Sequence, residues 1–134
     1  MAEKMNSYTF PAVITHEGKS YGVYFHDLPG CVAVAPTLDE AVHEAKDGLA
    51  LHLWGMEEDG KAIPQPTSLE EIEVKTGETL CLLDADMFAI RAQMNNRPVK
   101  KTLTIPWYLN ELAEKQRINF SQLLQSALRE RLSL

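Results

Sequence analysis

The stretch Val99-Lys-Lys-Thr-Leu-Thr-Ile105-Pro106, with two short amphipathic segments behind it, decides how the chain is organised. Its residues alternate. Val99, Lys101, Leu103 and Ile105 share one face of a strand, and Lys100, Thr102 and Thr104 share the other. Pro106 cannot continue a sheet but suits the start of a helix. Pro106 to Gln116 then carries Leu109, Leu112, Ala113 and Gln116 on one stripe, and Asn119 to Leu132 carries Phe120, Leu123, Leu124, Ala127, Leu128 and Leu132 on another. The spacing predicts a strand and two helices. Below about 40 residues such elements cannot bury their own apolar faces. A second copy resolves this by forming an antiparallel two-stranded ribbon over four helices, with Leu103, Ile105, Leu109, Leu112, Leu124 and Leu128 as the core of a homodimer. The ribbon fits the major groove of double-stranded DNA and offers Lys100, Thr102 and Thr104 to base edges. A solvent-facing edge strand would also favour Lys and Thr, but the acid-free stretch Asn95–Asn110 and the two following helices favour DNA.

Asn119 is placed to cap the last helix, with Gln122 three residues on to complete a capping box. The free amides of that helix start, together with Asn119 and Ser121, suit a DNA phosphate. Lys100-x-Thr-Leu-Thr-Ile-Pro106 and Arg117-Ile-Asn-Phe-Ser-Gln-Leu-Leu124 resemble the pattern of the ribbon-helix-helix repressors. Arg117 departs from it, standing where many of these proteins have a helix-ending glycine.

The chain has 134 residues, 45% of them hydrophobic, and a net charge of −6. That charge is unevenly divided. Residues 1–95 hold 6 Lys/Arg against 16 Asp/Glu (net −10), and residues 96–134 hold 7 against 3 (net +4). Two modules with different partners follow: a basic one suited to a polyanion and an acidic one able to attract a basic protein. Cys31 and Cys81 are too few to staple a fold, no apolar run approaches a membrane span, and Met1 to Ser7 is polar rather than signal-like. A cytoplasmic location is expected, nucleoid-associated when on DNA.

Tyr8 to Thr15, Ser20 to His26 and Cys31 to Ala35 read as an antiparallel meander, with Pro11 suggesting an edge or an irregular start for the first strand. In the second strand Tyr21, Val23 and Phe25 lie on one face, and Gly22, Tyr24 and His26 on the other. Leu28-Pro29-Gly30-Cys31 fits a type II turn. Thr37 and Glu40 open a helix whose apolar face runs Leu38, Ala41, Val42, Ala45, Leu49, His52, Leu53 and Met56, and Asp59-Gly60 ends it. Lys61 to Ser68 is a connector, Thr79 to Leu83 a further strand candidate, and Ala85 to Met94 a short helix. The reading is α+β, with residues 1–90 as a β-β-β-α-β domain, 91–98 as a linker and 99–134 as the ribbon-helix-helix.

Phe25-His-Asp-Leu-Pro-Gly-Cys31, Thr37-Leu-Asp-Glu-Ala41 and Asp59-Gly-Lys-x-x-Pro64, in this order of elements, resemble the HicB antitoxin family. With the tail, the chain is similar to the HicB subset that carries a ribbon-helix-helix domain. The resemblance implies a truncated RNase H-like N-terminal domain that neutralises HicA, a small basic mRNA-cleaving toxin. It also implies a C-terminal domain that represses the operon as a dimer, with pairing of dimers into tetramers left open. It names no toxin-contact residue.

Catalytic signals are weak. His43 and His52 are nine residues apart, there is no Cys-x-x-Cys, and no metal or cofactor is expected. Asp84-Ala85-Asp86 sets two acids at strand spacing, which reads as a solvated strand end rather than a nuclease centre. The rival reading is a ligand-responsive repressor with Tyr21, Tyr24, Phe25 and Trp54 lining a small-molecule pocket.

Overall fold

Local signals place most of the first elements in a computed structural model that describes residues 5–134. β1 (Ser7–Glu17), β2 (Ser20–Phe25) and β3 (Val32–Ala35) form the meander. Gly30 supplies the positive φ, 87°, that a type II turn needs, and the Cys31 amide donates to the Leu28 carbonyl at 3.1 Å. The Thr37 hydroxyl accepts from the Glu40 amide at 3.2 Å and caps α1 (Leu38–Glu58). Gly60, at φ 69°, closes α1 as its amide and that of Lys61 bond back to Glu57 and Met56 at 3.2 and 2.9 Å.

β4 (Glu78–Asp86) joins the sheet, but beside β1 rather than at the open side of β3, so the order is β3-β2-β1-β4 with every pair antiparallel. This makes β1 a central strand, so of the two readings of Pro11, an edge or an irregular start, the edge does not hold. The register explains the tolerance. β2 runs alongside β1 only as far as Ala12, opposite Phe25, so Pro11 lies just past the ladder on that side and pairs only with Leu82 of β4.

One face of the sheet carries the core. Phe10 and Ala12 of β1, Val23 and Phe25 of β2, Ala35 of β3 and Leu83 and Ala85 of β4 pack in one cluster with α1. Ala41 and Ala45 contribute little bulk and let the helix approach closely, while Leu49 and Leu53 fill the centre. Leu38 is exposed and His52 half-exposed, so the buried face of α1 is narrower than its apolar pattern.

α2 (Met87–Met94) follows β4 at once, capped by the Asp86 carboxylate, which accepts from the Ala89 amide at 3.0 Å. Its residues 91–94 fall in both the helix expected to Met94 and the linker expected from residue 91; they are helical, and Arg91 is firmly held. The Arg91 guanidinium donates to both Glu57 oxygens at 3.2 and 2.7 Å, to the Met5 carbonyl at 2.7 Å and to the Asn6 side chain at 3.3 Å. The chain divides into two compact units between Arg97 and Pro98. In the second unit, α3 (Trp107–Lys115) and α4 (Phe120–Leu132) stand where the periodicity puts them.

The Glu57 side chain is only 5% exposed, so removing its partner strands a buried carboxylate. Arg91→Ala is therefore expected to destabilise the first unit by about 3 kcal/mol, and replacing Glu57 and Arg91 together by methionine to cost less. Urea unfolding of the two variants checks this, and a loss below about 1 kcal/mol for Arg91→Ala would contradict it.

Candidate functional surfaces

In the second unit the expected strand is not formed within one copy. Residues 99–105 are exposed and, among the described residues, make no ladder; their own unit holds only helices besides. Lys100, Thr102 and Thr104 are all exposed in this segment. The apolar residues beside them are unburied too. Leu103 is 65% exposed, Leu112 55% and Leu128 49%, Ile105 and Leu109 are also exposed, and Leu124 is only half-buried. Neither α3 nor α4 buries a single residue. Burying a leucine or isoleucine is worth about 1.5–3 kcal/mol, so five such residues exposed and a sixth half-buried are a large unmet driving force.

The turn between these helices is built on Arg117, at φ 54°. The amides of Arg117 and Ile118 bond to the carbonyls of Glu114 and Ala113, both at 3.0 Å, the pattern that ends a helix in a left-handed residue. Asn119 then caps α4, its side-chain oxygen accepting from the Gln122 amide at 3.1 Å. This leaves the amides of Phe120 and Ser121 at the open helix start, while the Ser121 hydroxyl accepts from Gln125 at 3.2 Å.

In the first unit the acids serve the fold. Asp84 pairs with Lys46 at 3.3 Å and Asp86 caps α2. Among the described residues no group of three His, Cys, Asp or Glu is arranged to hold a metal. Cys31 and Cys81 are free, and burial pushes both thiols up from their ordinary pKa, keeping them protonated and poorly nucleophilic. The four aromatic residues of the ligand-sensing reading do not converge. Phe25 is buried in the core and Tyr21 and Trp54 are half-buried against it, whereas Tyr24 points to the other side of β2 and donates to Glu78 at 3.3 Å.

Over residues 10–127 the sequence matches the family described as "HicB_like antitoxin of bacterial toxin-antitoxin system". The chain belongs to the HicB-like antitoxin family. A chain of a toxin–antitoxin complex from Streptococcus pneumoniae has a similar fold, at 22% identity and a TM-score of 0.59 over 93% of this chain and 99% of that one. The antitoxin HicB of Burkholderia pseudomallei matches at 22% identity and 0.54, over 93% and 98%. The isolated N-terminal domain of a B. pseudomallei HicB matches at 25% identity and 0.51, over 57% and 95%. An uncharacterised 14.9 kDa protein of Haemophilus phage HP1, from its rep-hol intergenic region, is 34% identical over 62 residues. That match covers 46% of this chain and about half, 47%, of the phage protein.

The α+β architecture of the HicB-like chain agrees with these structures. Among the described residues no helix is long and apolar enough to cross a membrane. One feature of the first unit escaped sequence reading: the groove in which α1 and α2 set Asp47 and Leu51 opposite Ile90 and Met94. The four-residue spacing within each pair is visible in the sequence; that the two helices face each other is not.

A left-handed non-glycine residue costs about 1–2 kcal/mol. Arg117→Gly is accordingly expected to stabilise the second unit by about 1 kcal/mol, read as an upward shift in helix melting by far-UV circular dichroism. An unchanged or lower melting temperature would contradict the assigned turn.

Proposed function

We propose that this HicB-like chain is an antitoxin with two jobs on two units. The second unit dimerises through residues 99–105, α3 and α4 and represses its own operon by binding operator DNA. The first unit binds a HicA-like, mRNA-cleaving toxin and blocks it by covering its RNA-binding face, with no catalysis of its own. The observation that carries the DNA half is the unburied apolar face of α3 and α4, continuous in sequence with the acid-free lysine and threonine segment. A dimer buries that face and gives residues 99–105 the partner strand they lack, turning Lys100, Thr102 and Thr104 toward a major groove. The amides at the start of α4, with Asn119 and Ser121, then meet the phosphate backbone. Support for the toxin half comes from the family match, which spans both units, and from the net −10 of residues 1–95. Nothing in this activity requires a cofactor, and it belongs in the cytoplasm and on the nucleoid.

Two substitutions test the reading. Leu103→Asp is expected to convert the dimer to monomer in sedimentation equilibrium and to abolish binding to the promoter fragment upstream of its own gene. It leaves inhibition of toxin RNA cleavage intact at protein excess. A dimeric Leu103→Asp protein would refute the ribbon. Lys100→Ala is expected to weaken operator binding while the dimer persists. If Lys100 meets a phosphate, the salt dependence falls by about one contact; if it meets a base, discrimination falls by about 1–3 kcal/mol. Unaltered affinity and salt slope would remove Lys100 from the interface.

A further inference from the structure

The groove between α1 and α2 has a volume of about 470 Å³ and is open to solvent. Its composition is mixed in a specific way. Leu51, 46% exposed, and Met94, 43% exposed, leave apolar surface in water, with Ile90 half-buried beside them. Around this strip stand Asp47 from α1 and Asp84 and Asp86 from the end of β4. Among the described residues one cation lines the groove: Lys46, already engaged with Asp84 at 3.3 Å. Asp86 spends one oxygen on the Ala89 amide. The lining therefore carries three carboxylates against one ammonium.

We infer that this groove is the docking site for a basic protein segment, which seats an apolar side chain between Leu51 and Met94 and sets Lys or Arg against Asp47 and Asp86. The inference rests on the toxin-binding reading and supplies the contact residues that reading lacks. The occupant follows from charge and shape. An acidic polymer or a nucleic acid is repelled by the rim, and a small apolar ligand finds a site too open and too charged to desolvate it. A helix laid between two helices meets both demands, since residues one turn apart on it match the one-turn spacing of Asp47 and Leu51 and of Ile90 and Met94. Charged rims speed encounter and exclude wrong partners, while the central apolar contact sets residence time.

The full-length protein is tested with the HicA-like toxin of its own system, by calorimetry and by inhibition of RNA cleavage. Asp47→Lys with Leu51→Lys changes two exposed positions of α1, and circular dichroism checks that the fold is retained. Binding is expected to fall at least 100-fold. A charge control, Glu70→Lys with Glu73→Lys, alters acids outside the groove by at least as much and is expected to bind within threefold of the natural chain. Met94→Glu attacks the same groove from α2 and is expected to weaken binding at least tenfold. If the natural chain itself neither binds nor inhibits that protein, the toxin-binding reading fails. If it binds, and the α1 double variant or Met94→Glu binds equally well, the groove is not the site. Equal loss in the charge control shows that overall charge alone attracts the partner, and this also overturns the groove.

Discussion

A pair of helices with apolar faces and no interior is the constraint on which the second unit depends. From Pro98 to Leu134 the chain supplies 37 residues, too few to surround a core, yet it places apolar residues at helical spacing through both α3 and α4. The helices form because their local signals suffice: Pro106 at one start, the Asn119 cap at the other, and a left-handed turn at Arg117 between them. What local signals cannot supply is burial. Strand formation by residues 99–105 has the same dependence, since a strand's hydrogen bonds belong to its neighbour as much as to itself.

The first unit meets its burial demand internally. A 21-residue helix covers one face of the sheet, and the alanines at positions 41 and 45 make that cover close rather than bulky. α2 is tied into the same body by three kinds of contact: the Asp86 cap, the Met87 amide bonded to Asn6 at 2.9 Å, and the Arg91–Glu57 pair. These join the end of the unit to its beginning and to the end of α1. Asp27 extends the same logic to the connector. Its carboxylate accepts from both the Thr67 amide and the Thr67 hydroxyl, so the proline-containing segment is pinned rather than loose.

Features legible in the sequence are those whose cause lies within a few residues. The Thr37 and Asn119 caps, the Leu28–Cys31 turn, the Asp59-Gly60 stop and the periodicities of α1, α3 and α4 all occupy their expected places. The departures share a non-local cause. Pro11 reads as an edge residue because its missing donor is local, but the choice of β1 as the central strand depends on β4, some 70 residues on. The sequence lets a helix to Met94 and a linker from residue 91 overlap, because neither Glu57 nor Asn6, which hold Arg91 in the helix, is near it in sequence. The acids of Asp84-Ala85-Asp86 can be seen, but the pairing of Asp84 with Lys46, 38 residues before it, cannot.

Charge shows why the chain must be considered by surface rather than by sum. A net −6 over the whole molecule suggests poor affinity for DNA, yet it combines net values of −10 and +4 from separate stretches. A folded unit of about 100 residues has a radius of gyration near 13 Å, and at physiological ionic strength the Debye length is about 8 Å. A partner touching one face therefore feels little of the charge on the far side. Local composition governs: the lysine-bearing segment presents no carboxylate of its own from Asn95 to Asn110, and the described residues of the α1–α2 groove include three carboxylates and one already-paired lysine. One chain can in this way carry surfaces of opposite preference without either cancelling the other.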